Sequence, residues 1–177
     1  MNAKDILINN KYKYLMSKKF LYYFILVSFV FLLDRITKLY ILNLAETEQS
    51  VDIYIATYLN LYLIWNSGVG FGMLSSNQDF IYNSITFIIV LINILILIMI
   101  LKYNDYKVFF LLIILGGSLG NLFDRIYYKA VPDFIDLHYE NFHWFVFNIA
   151  DIFISLGIIC LIMAEIFFNK GTKNEKI

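Results

Sequence analysis

Residues 80–101, FIYNSITFIIVLINILILIMIL, contain no charged side chain and decide the fold class of this chain. At 1.5 Å per residue this run extends about 33 Å as an α-helix, enough to cross the hydrocarbon core of a bilayer. Of the 177 residues in the chain, 60% are hydrophobic, 16% are charged and one is proline, with a mean hydropathy of +0.70. This composition is typical of a polytopic membrane protein.

Three more apolar segments are long enough to span a bilayer. They are Phe20 to Leu42, Val108 to Ile126 and Trp144 to Phe168. We therefore predict an all-α polytopic membrane protein in which residues 1–177 form one integral membrane domain with four transmembrane helices. Residues 1–19 are polar and no small-residue cleavage site follows the first apolar stretch, so we interpret that stretch as a retained anchor.

The lysines and arginines are distributed unequally between the two ends of these segments. Ten of the fourteen precede the first segment, connect the second to the third, or follow the fourth: Lys4, Lys11, Lys13, Lys18, Lys19, Lys102, Lys107, Lys170, Lys173 and Lys176. Residues 39–80, between the first two segments, contain none. The positive-inside rule then predicts cytoplasmic tails at residues 1–19 and 169–177, with both termini in the cytoplasm.

A β-rich pattern occupies the outer stretch at about residues 44–72. Val51 to Asn66 is dense in Ile, Leu, Val and Tyr with partial alternation, which predicts two short strands at the membrane surface. Residues 66–72, Asn-Ser-Gly-Val-Gly-Phe-Gly, follow directly. Three glycines would let this backbone approach a substrate or a helix closely, and a tight structural turn explains the spacing equally well.

Two aspartates fall at the outer ends of hydrophobic segments. Asp133 follows the third segment, and Asp151 lies about seven residues, or about 10 Å, into the fourth. A carboxylate there costs roughly 2.5–3.5 kcal/mol or more, so a functional site is the default interpretation. Two such groups that converge cannot both ionise easily and would share a proton, which permits acid–base chemistry without a metal or a covalent intermediate.

Polar residues also form one stripe on each of three segments. Helical spacing aligns Asp34 with Thr37 and Lys38, Gly117 with Asn121 and Asp124, and Asn148 with Asp151 and Ser155. Such stripes face the interior of a bundle or a wet cavity. For Asn121, Asp124 and Arg125 we favour interhelical hydrogen bonds or an ion pair over chemistry.

Two other catalytic or metal-binding interpretations fit single features of the sequence. Residues 116–120 match the G-x-S-x-G nucleophile elbow, but that motif requires a strand-turn-helix context and a base that only His138 or His143 could supply. His138, Glu140 and His143 match no zinc-ligand spacing, and we expect them to be solvated at the interface.

A transporter or channel with an ion path along Asp34, Asp124 and Asp151 would normally show internal repeats, and we see none in the sequence. The net charge is zero and no basic block is present, which argues against a nucleic-acid partner.

Five short motifs resemble, in the same order, those of the lipoprotein signal peptidases (signal peptidase II). They are D-x-x-[ST]-K at 34–38, N-x-G-x-[AS]-F-[GS] at 66–72, G-G-x-x-G-N-x-x-D-R at 116–125, V-[VS]-D-F-[IL]-D at 131–136 and F-N-x-A-D at 147–151. Together they are highly specific. The departures are Arg35 for the usual Gln, Gly70 for Ala or Ser, and Pro132 where Val is common, and none removes a catalytic group.

The resemblance implies an aspartic endopeptidase of the bacterial cytoplasmic (inner) membrane that cuts prolipoproteins before a cysteine carrying diacylglycerol. Asp133 and Asp151 would be its catalytic pair, near the outer face. The residues implied to bind substrate or support the site are Asp34, Lys38, Asn66, Gly68, Gly117, Asn121, Asp124, Arg125, Asn148 and Ala150. The partners would be the prolipoprotein and membrane phospholipid, and the enzyme would act as a monomer without a cofactor or metal.

Overall fold

The computed structural model describes residues 3–68, 79–140 and 142–168. Its elements in chain order are α1 (Ala3–Glu48), β1 (Asp52–Ala56), β2 (Leu59–Asn66), α2 (Asp79–Lys102), α3 (Lys107–Tyr128), β3 (Val131–Tyr139), β4 (Phe142–Phe147) and α4 (Ile149–Phe168). The last part of the glycine-rich motif, residues 69–72, lies outside the described residues. The molecule is thus mostly helical, with a small sheet.

The first helix is much longer than the apolar segment that predicted it. At 46 residues, α1 extends about 69 Å and includes residues 44–48, which we had assigned to the β-rich stretch. No glycine or proline occurs before Gly68, so nothing in the sequence interrupts this helix. It ends where Gln49 adopts a left-handed conformation with φ of 63°, a common way to terminate a helix.

Three of the helices are long and apolar enough to cross a membrane. These spans are Phe80–Lys102, Lys107–Tyr128 and Ile149–Phe167, and α1 is not among them. The central helix is α3, which packs against α1, α2 and α4. Its buried residues form the main apolar core with two residues of α2: Ile96, Ile100, Val108, Leu111, Leu112, Ile114 and Leu115.

Two glycines of α3 allow this close packing. A Cβ atom at Gly117 would lie 2.7 Å from the backbone oxygen of Ala150 in α4. At Gly120 a Cβ would lie 2.6 Å from Oδ2 of Asp34 in α1. Any larger residue would therefore push the neighbouring helices away from α3 at the level where its polar residues begin.

The four strands form one antiparallel sheet in the order β1-β2-β3-β4. The two strands predicted between residues 51 and 66 are present, and β3 and β4, which we did not predict, extend the sheet beyond them. The fourth helix begins at Ile149 and not at Trp144, because residues 142–147 pair with β3. An apolar run alone does not distinguish a buried helix from a strand, although this one is rich in aromatic residues that favour strands.

The sheet packs on the end of α1 and brings separate parts of the chain together. Ile41, Val51 and Phe134 form a second buried cluster between α1 and the sheet. In the register of β2 and β3, Asn66 lies opposite Val131 and Ile64 lies opposite Asp133. Since β4 runs directly into α4, the start of α4 lies beside the same strand.

Candidate active site

Asp133 is a buried carboxylate on β3 whose partners are amides. Its Oδ2 accepts a hydrogen bond of 2.8 Å from Nδ2 of Asn66, and its Oδ1 accepts one of 2.6 Å from Nδ2 of Asn148. Only 2% of the residue is exposed. The pKa of Asp133 is raised to about 7, mainly by burial and secondly by the negative charge of Asp151. The two amide hydrogen bonds oppose this rise in pKa.

Asn148 and Asp151 form a reciprocal cap at the start of α4. The backbone N–H of Asp151 donates to Oδ1 of Asn148 over 3.1 Å, and the backbone N–H of Asn148 donates to Oδ2 of Asp151 over 3.2 Å. This is the geometry of a capping box, with Asn148 as N-cap and Asp151 three residues later. The spacing in F-N-x-A-D is thus a helix-starting signal. It places Asp151 in the first turn of α4, and not 10 Å into a helix as we predicted.

The two aspartates are joined through Asn148. Its side-chain NH₂ group donates to Asp133, while its carbonyl oxygen and backbone N–H hold Asp151. The other oxygen of Asp151, Oδ1, accepts a hydrogen bond of 2.8 Å from Nδ2 of Asn121 on α3. Every hydrogen bond that the described structure gives these two carboxylates therefore comes from an amide, and none comes from a cation.

Lys38 lies behind this pair as a fully buried cation on α1. Its Nζ lies 2.8 Å from Oδ2 of Asp34, 2.8 Å from Oδ1 of Asn121 and 2.7 Å from Oδ2 of Asp124. Two of its three N–H donors are used in the hydrogen bonds to Asp34 and Asn121, and Asp124 is held as an ion pair. Two carboxylates and one amide are thereby held in fixed positions around one charge.

Asp34 connects this cation to the start of α4. Its Oδ1 accepts a hydrogen bond of 2.9 Å from the backbone N–H of Ala150. That N–H belongs to the first turn of α4, where backbone donors have no partner within the helix. A carboxylate is also favourable at the positive end of the helix dipole. Asp34 on α1 therefore caps α4 from a different part of the chain.

The remaining charged residues of α3 have different partners. Asp124 pairs with Lys38 and with Arg35, whose guanidinium also lies over the ring of Phe123 at 5.0 Å from its centroid. Arg125 instead donates to the carbonyl of Gly68, two residues after β2, and the Tyr82 hydroxyl donates to the Arg125 carbonyl over 2.7 Å.

No functional role was predicted for Arg35 or Tyr82, because contacts between distant helices leave no spacing signal. The backbone N–H of Gly68 donates to Oδ1 of Asn66 over 2.9 Å, a local turn that fixes the orientation of this amide.

A groove opens beside Asp151. It has a volume of about 270 Å³ and is lined by Phe147, Asp151, Ile152, Ser155 and Leu156. Ser155, predicted to share a face with Asp151, does so at this groove.

The two histidines lie elsewhere, together with Asp136 on the β3–β4 hairpin. Glu140, which we had considered with them, is exposed in the hairpin turn with φ of 52°.

Comparisons with known proteins are consistent in the family that they indicate. The family model for signal peptidase (SPase) II matches residues 26–167. The chain is 56% identical over 159 residues to the lipoprotein signal peptidase of Pelagibacter ubique (strain HTCC1062), covering 90% of this chain and 96% of that protein. It is 39% identical over 163 residues to the lipoprotein signal peptidase of Aquifex aeolicus (strain VF5), covering 91% and 95%.

A solved bacterial membrane enzyme has a similar structure, with a TM-score of 0.63 at 28% identity, over 87% of this chain and 91% of that one. The family model and both relatives cover most of the chain, and the apolar helices agree with a multi-pass membrane protein. The chain therefore belongs to the signal peptidase II family of membrane aspartic peptidases.

Proposed function

We propose that Asp133 and Asp151 are the catalytic pair with which this peptidase removes the signal peptide of prolipoproteins, before a cysteine that carries diacylglycerol. The observation that carries the assignment is the bridge through Asn148, which joins two carboxylates that have amide partners and no cation. The other aspartates at this level, Asp34 and Asp124, are neutralised by Lys38. Because the chain belongs to an aspartic peptidase family, we no longer favour the serine hydrolase and transporter interpretations.

The amides around the pair can present only their N–H groups to it. Lys38 has donors only, so the oxygen of Asn121 faces Lys38 and its NH₂ faces Asp151. In the same way, backbone N–H groups fix the oxygens of Asn66 and Asn148 and turn both NH₂ groups toward Asp133. Each of the four carboxylate oxygens thus accepts one N–H hydrogen bond, and the remaining lone pairs can hold a shared proton and bind a water molecule.

The reaction follows from a pair that carries one proton. The ionised carboxylate takes a proton from water as the water attacks the scissile carbonyl, and the protonated carboxyl donates a hydrogen bond to that carbonyl oxygen. The proton taken from water then passes to the leaving nitrogen of the lipidated cysteine, the C–N bond breaks, and the signal peptide departs with the new carboxyl group at its end. The residues that contact the pair, Asn66, Asn121 and Asn148, hold it in place, and Lys38 acts on it through Asn121.

The arrangement in the membrane is also part of this proposal. We infer four spanning helices, with part of α1 as the fourth, in the bacterial cytoplasmic membrane, and a monomer surrounded by phospholipid. Lys19 of α1 donates to Asn104 in the α2–α3 connection, and Lys107 pairs with Glu165 near the end of α4, so cationic groups gather at the end away from the sheet. The positive-inside rule makes that end cytoplasmic. Labelling of cysteines introduced in either tail from the outer side would contradict it.

The first prediction concerns the lipid on the substrate. The groove beside Asp151 is lined by apolar side chains of α4, so acyl chains could remain in the bilayer while the adjacent peptide reaches the pair. Each buried CH₂ contributes about 0.8 kcal/mol to membrane retention. We expect the purified enzyme to shorten a diacylated prolipoprotein on a gel. The same precursor without its lipid should be cleaved much more slowly, and equal rates would contradict lipid recognition.

The second prediction concerns pH. Because burial and the charge of Asp151 raise the pKa of Asp133 to about 7, the pair should keep its shared proton up to that value. We expect kcat/KM to fall as the pH rises through about 7, when both groups become ionised, and to fall again in acid, when both are protonated.

Asn66→Ala removes a hydrogen bond that favours the ionised form of Asp133, so the basic limb should move to higher pH. A rate that keeps rising to about pH 9 would exclude the proton-sharing pair.

A further inference from the structure

We propose that Asp136, His138 and His143 form a binding site for a divalent transition metal ion on the β3–β4 hairpin. One potential ligand atom from each residue lies within 4.8 Å of those of the other two. Nδ1 of His143 lies 2.8 Å from Oδ2 of Asp136, and Nδ1 of His138 lies 3.7 Å from the same oxygen. No other group of three such residues occurs among residues 3–68, 79–140 and 142–168.

The register of the hairpin brings the two histidines together. Leu137 pairs with Phe145, but the next pair is His138 with His143, so Trp144 is an extra residue in β4. A bulge of this kind changes which side chain lies opposite a given residue. Here it places His143 opposite His138, with the ring centroids 5.3 Å apart and the rings inclined by 27°. Asp136 precedes His138 by two residues and therefore shares its face of the strand.

Unpaired buried atoms of Asp136 and His138 favour an ion over a simple histidine–carboxylate hydrogen bond. Asp136 is 1% exposed, and its Oδ1 has no hydrogen-bond partner among the described residues. The same is true of the buried Nδ1 of His138. Leaving a buried polar atom unpaired costs about 1–3 kcal/mol. A cation held between the imidazoles and the carboxylate would compensate these atoms.

The donor set indicates the class of ion. Two imidazoles and one carboxylate suit Zn²⁺ and its first-row neighbours Co²⁺, Ni²⁺ and Cu²⁺, and they leave a fourth position for water. Ca²⁺ and Mg²⁺ prefer oxygen ligands and would bind poorly. The side chain of His143 is 58% exposed, so an ion can reach the site from solvent and the imidazole is free to adjust.

The position of the site predicts what the ion would do. It would link β3, which carries Asp133, to β4, which runs into Asn148 at the start of α4. Metal that binds the folded chain and not the unfolded one stabilises the fold. The expected effect is therefore a rise in melting temperature, and the catalytic pair still works without the ion.

The test measures metal binding directly. The full chain is purified without a polyhistidine tag, stripped with EDTA, freed of chelator and titrated with Zn²⁺ against a chromophoric competitor. The chain has only two histidines and one cysteine, so background binding is low. We expect one Zn²⁺ per chain, a rise in melting temperature, and visible absorption typical of four-coordinate Co²⁺ when Co²⁺ is used instead.

Variants show whether these three residues hold the ion. The double change His138→Gln and His143→Gln should weaken Zn²⁺ binding by at least about 100-fold, as should Asp136→Asn, since loss of a ligand exceeds the roughly 10–100-fold cost of outer-shell changes. Asp52→Asn, which alters an exposed carboxylate of β1 in the same sheet, should bind Zn²⁺ like the unchanged chain. Equal binding by the unchanged chain and a double variant that still cleaves substrate would overturn the proposal.

The result of the metal-binding test can be distinguished from the result of the test of the proposed function. The EDTA-stripped chain and the double histidine variant should both cleave prolipoprotein, because neither change touches Asp133 or Asp151. Failure to bind Zn²⁺ with normal cleavage would reject the metal site alone. Normal Zn²⁺ binding by a chain that does not cleave would leave the metal site intact and count against the catalytic assignment.

Discussion

Asp133→Asn and Asp151→Asn should each lower the rate of prolipoprotein cleavage by at least about 1000-fold, within the range that one acid–base group contributes. An amide has nearly the shape of a carboxyl group but can neither carry the shared proton nor accept one from water. The remaining carboxylate cannot replace it, because the reaction needs both an acid and a base. Single-turnover cleavage of a diacylated prolipoprotein in detergent measures the loss.

Two controls make this result specific. Each variant should keep a melting temperature close to that of the unchanged protein, because Asn retains one acceptor and the loss of a buried charge offsets the NH₂ group that then faces a neighbouring N–H donor. Two other variants should cleave at the normal rate. They are Asp52→Asn, which changes an exposed carboxylate on β1, and Ser118→Ala in α3. Substantial turnover by either Asp133→Asn or Asp151→Asn would contradict the assignment of the catalytic pair. A Ser118→Ala variant that is folded but inactive would instead support Ser118 as the nucleophile.

Lys38→Met should produce the largest loss of stability. Met has a similar length but no charge, so it would leave Asp34 and Asp124 buried close to one another, with Arg35 as the cation that still pairs with Asp124. Breaking a buried ion pair from one side typically costs about 3–5 kcal/mol. Thermal unfolding in detergent measures the change, with Lys102→Met as a control because Lys102 is an exposed lysine at the end of α2.

Activity gives a second readout for Lys38. Without Lys38 the amide of Asn121 can turn its oxygen toward Asp151, which would remove a hydrogen bond to the pair. We therefore expect lower kcat even at temperatures where Lys38→Met remains folded. A variant as stable and active as Lys102→Met would show that the buried cation has no supporting role.

The apolar pattern predicted α2 and α3 well, because no neighbouring strand continues the apolar run of either helix. The ends of α2 and α3 fall within two residues of the predicted segments, because each is bounded by charged or polar residues. The helix prediction was wrong for residues 144–147, because they continue the apolar run of α4 but belong to β4, whose partner strand β3 lies earlier in the chain. The spacing of Asn148 and Asp151 could have corrected this, since N-cap and third-position residues mark a helix start.

The site itself was only partly accessible to sequence reasoning. The motifs named most of its residues, but they did not show that Asp34 caps α4 or that Asn148 joins the two aspartates. Such contacts depend on how α1, α3 and the sheet pack, and residues 34 and 150 are far apart in the chain. The proximity of His138 to His143 was missed for a similar reason, because the bulge at Trp144 sets the pairing of the histidines.

The locked amides around the aspartates have a consequence for the energetics of the reaction. In water, solvent dipoles must rotate as charge moves between the attacking oxygen and the carbonyl, and that reorganisation is part of the barrier. Here Asn66, Asn121 and Asn148 are already oriented by Gly68, Lys38 and Asp151 before any substrate arrives. The cost of aligning these dipoles is met when the chain folds, so the transition state of the proposed reaction would meet an environment that does not need to rearrange.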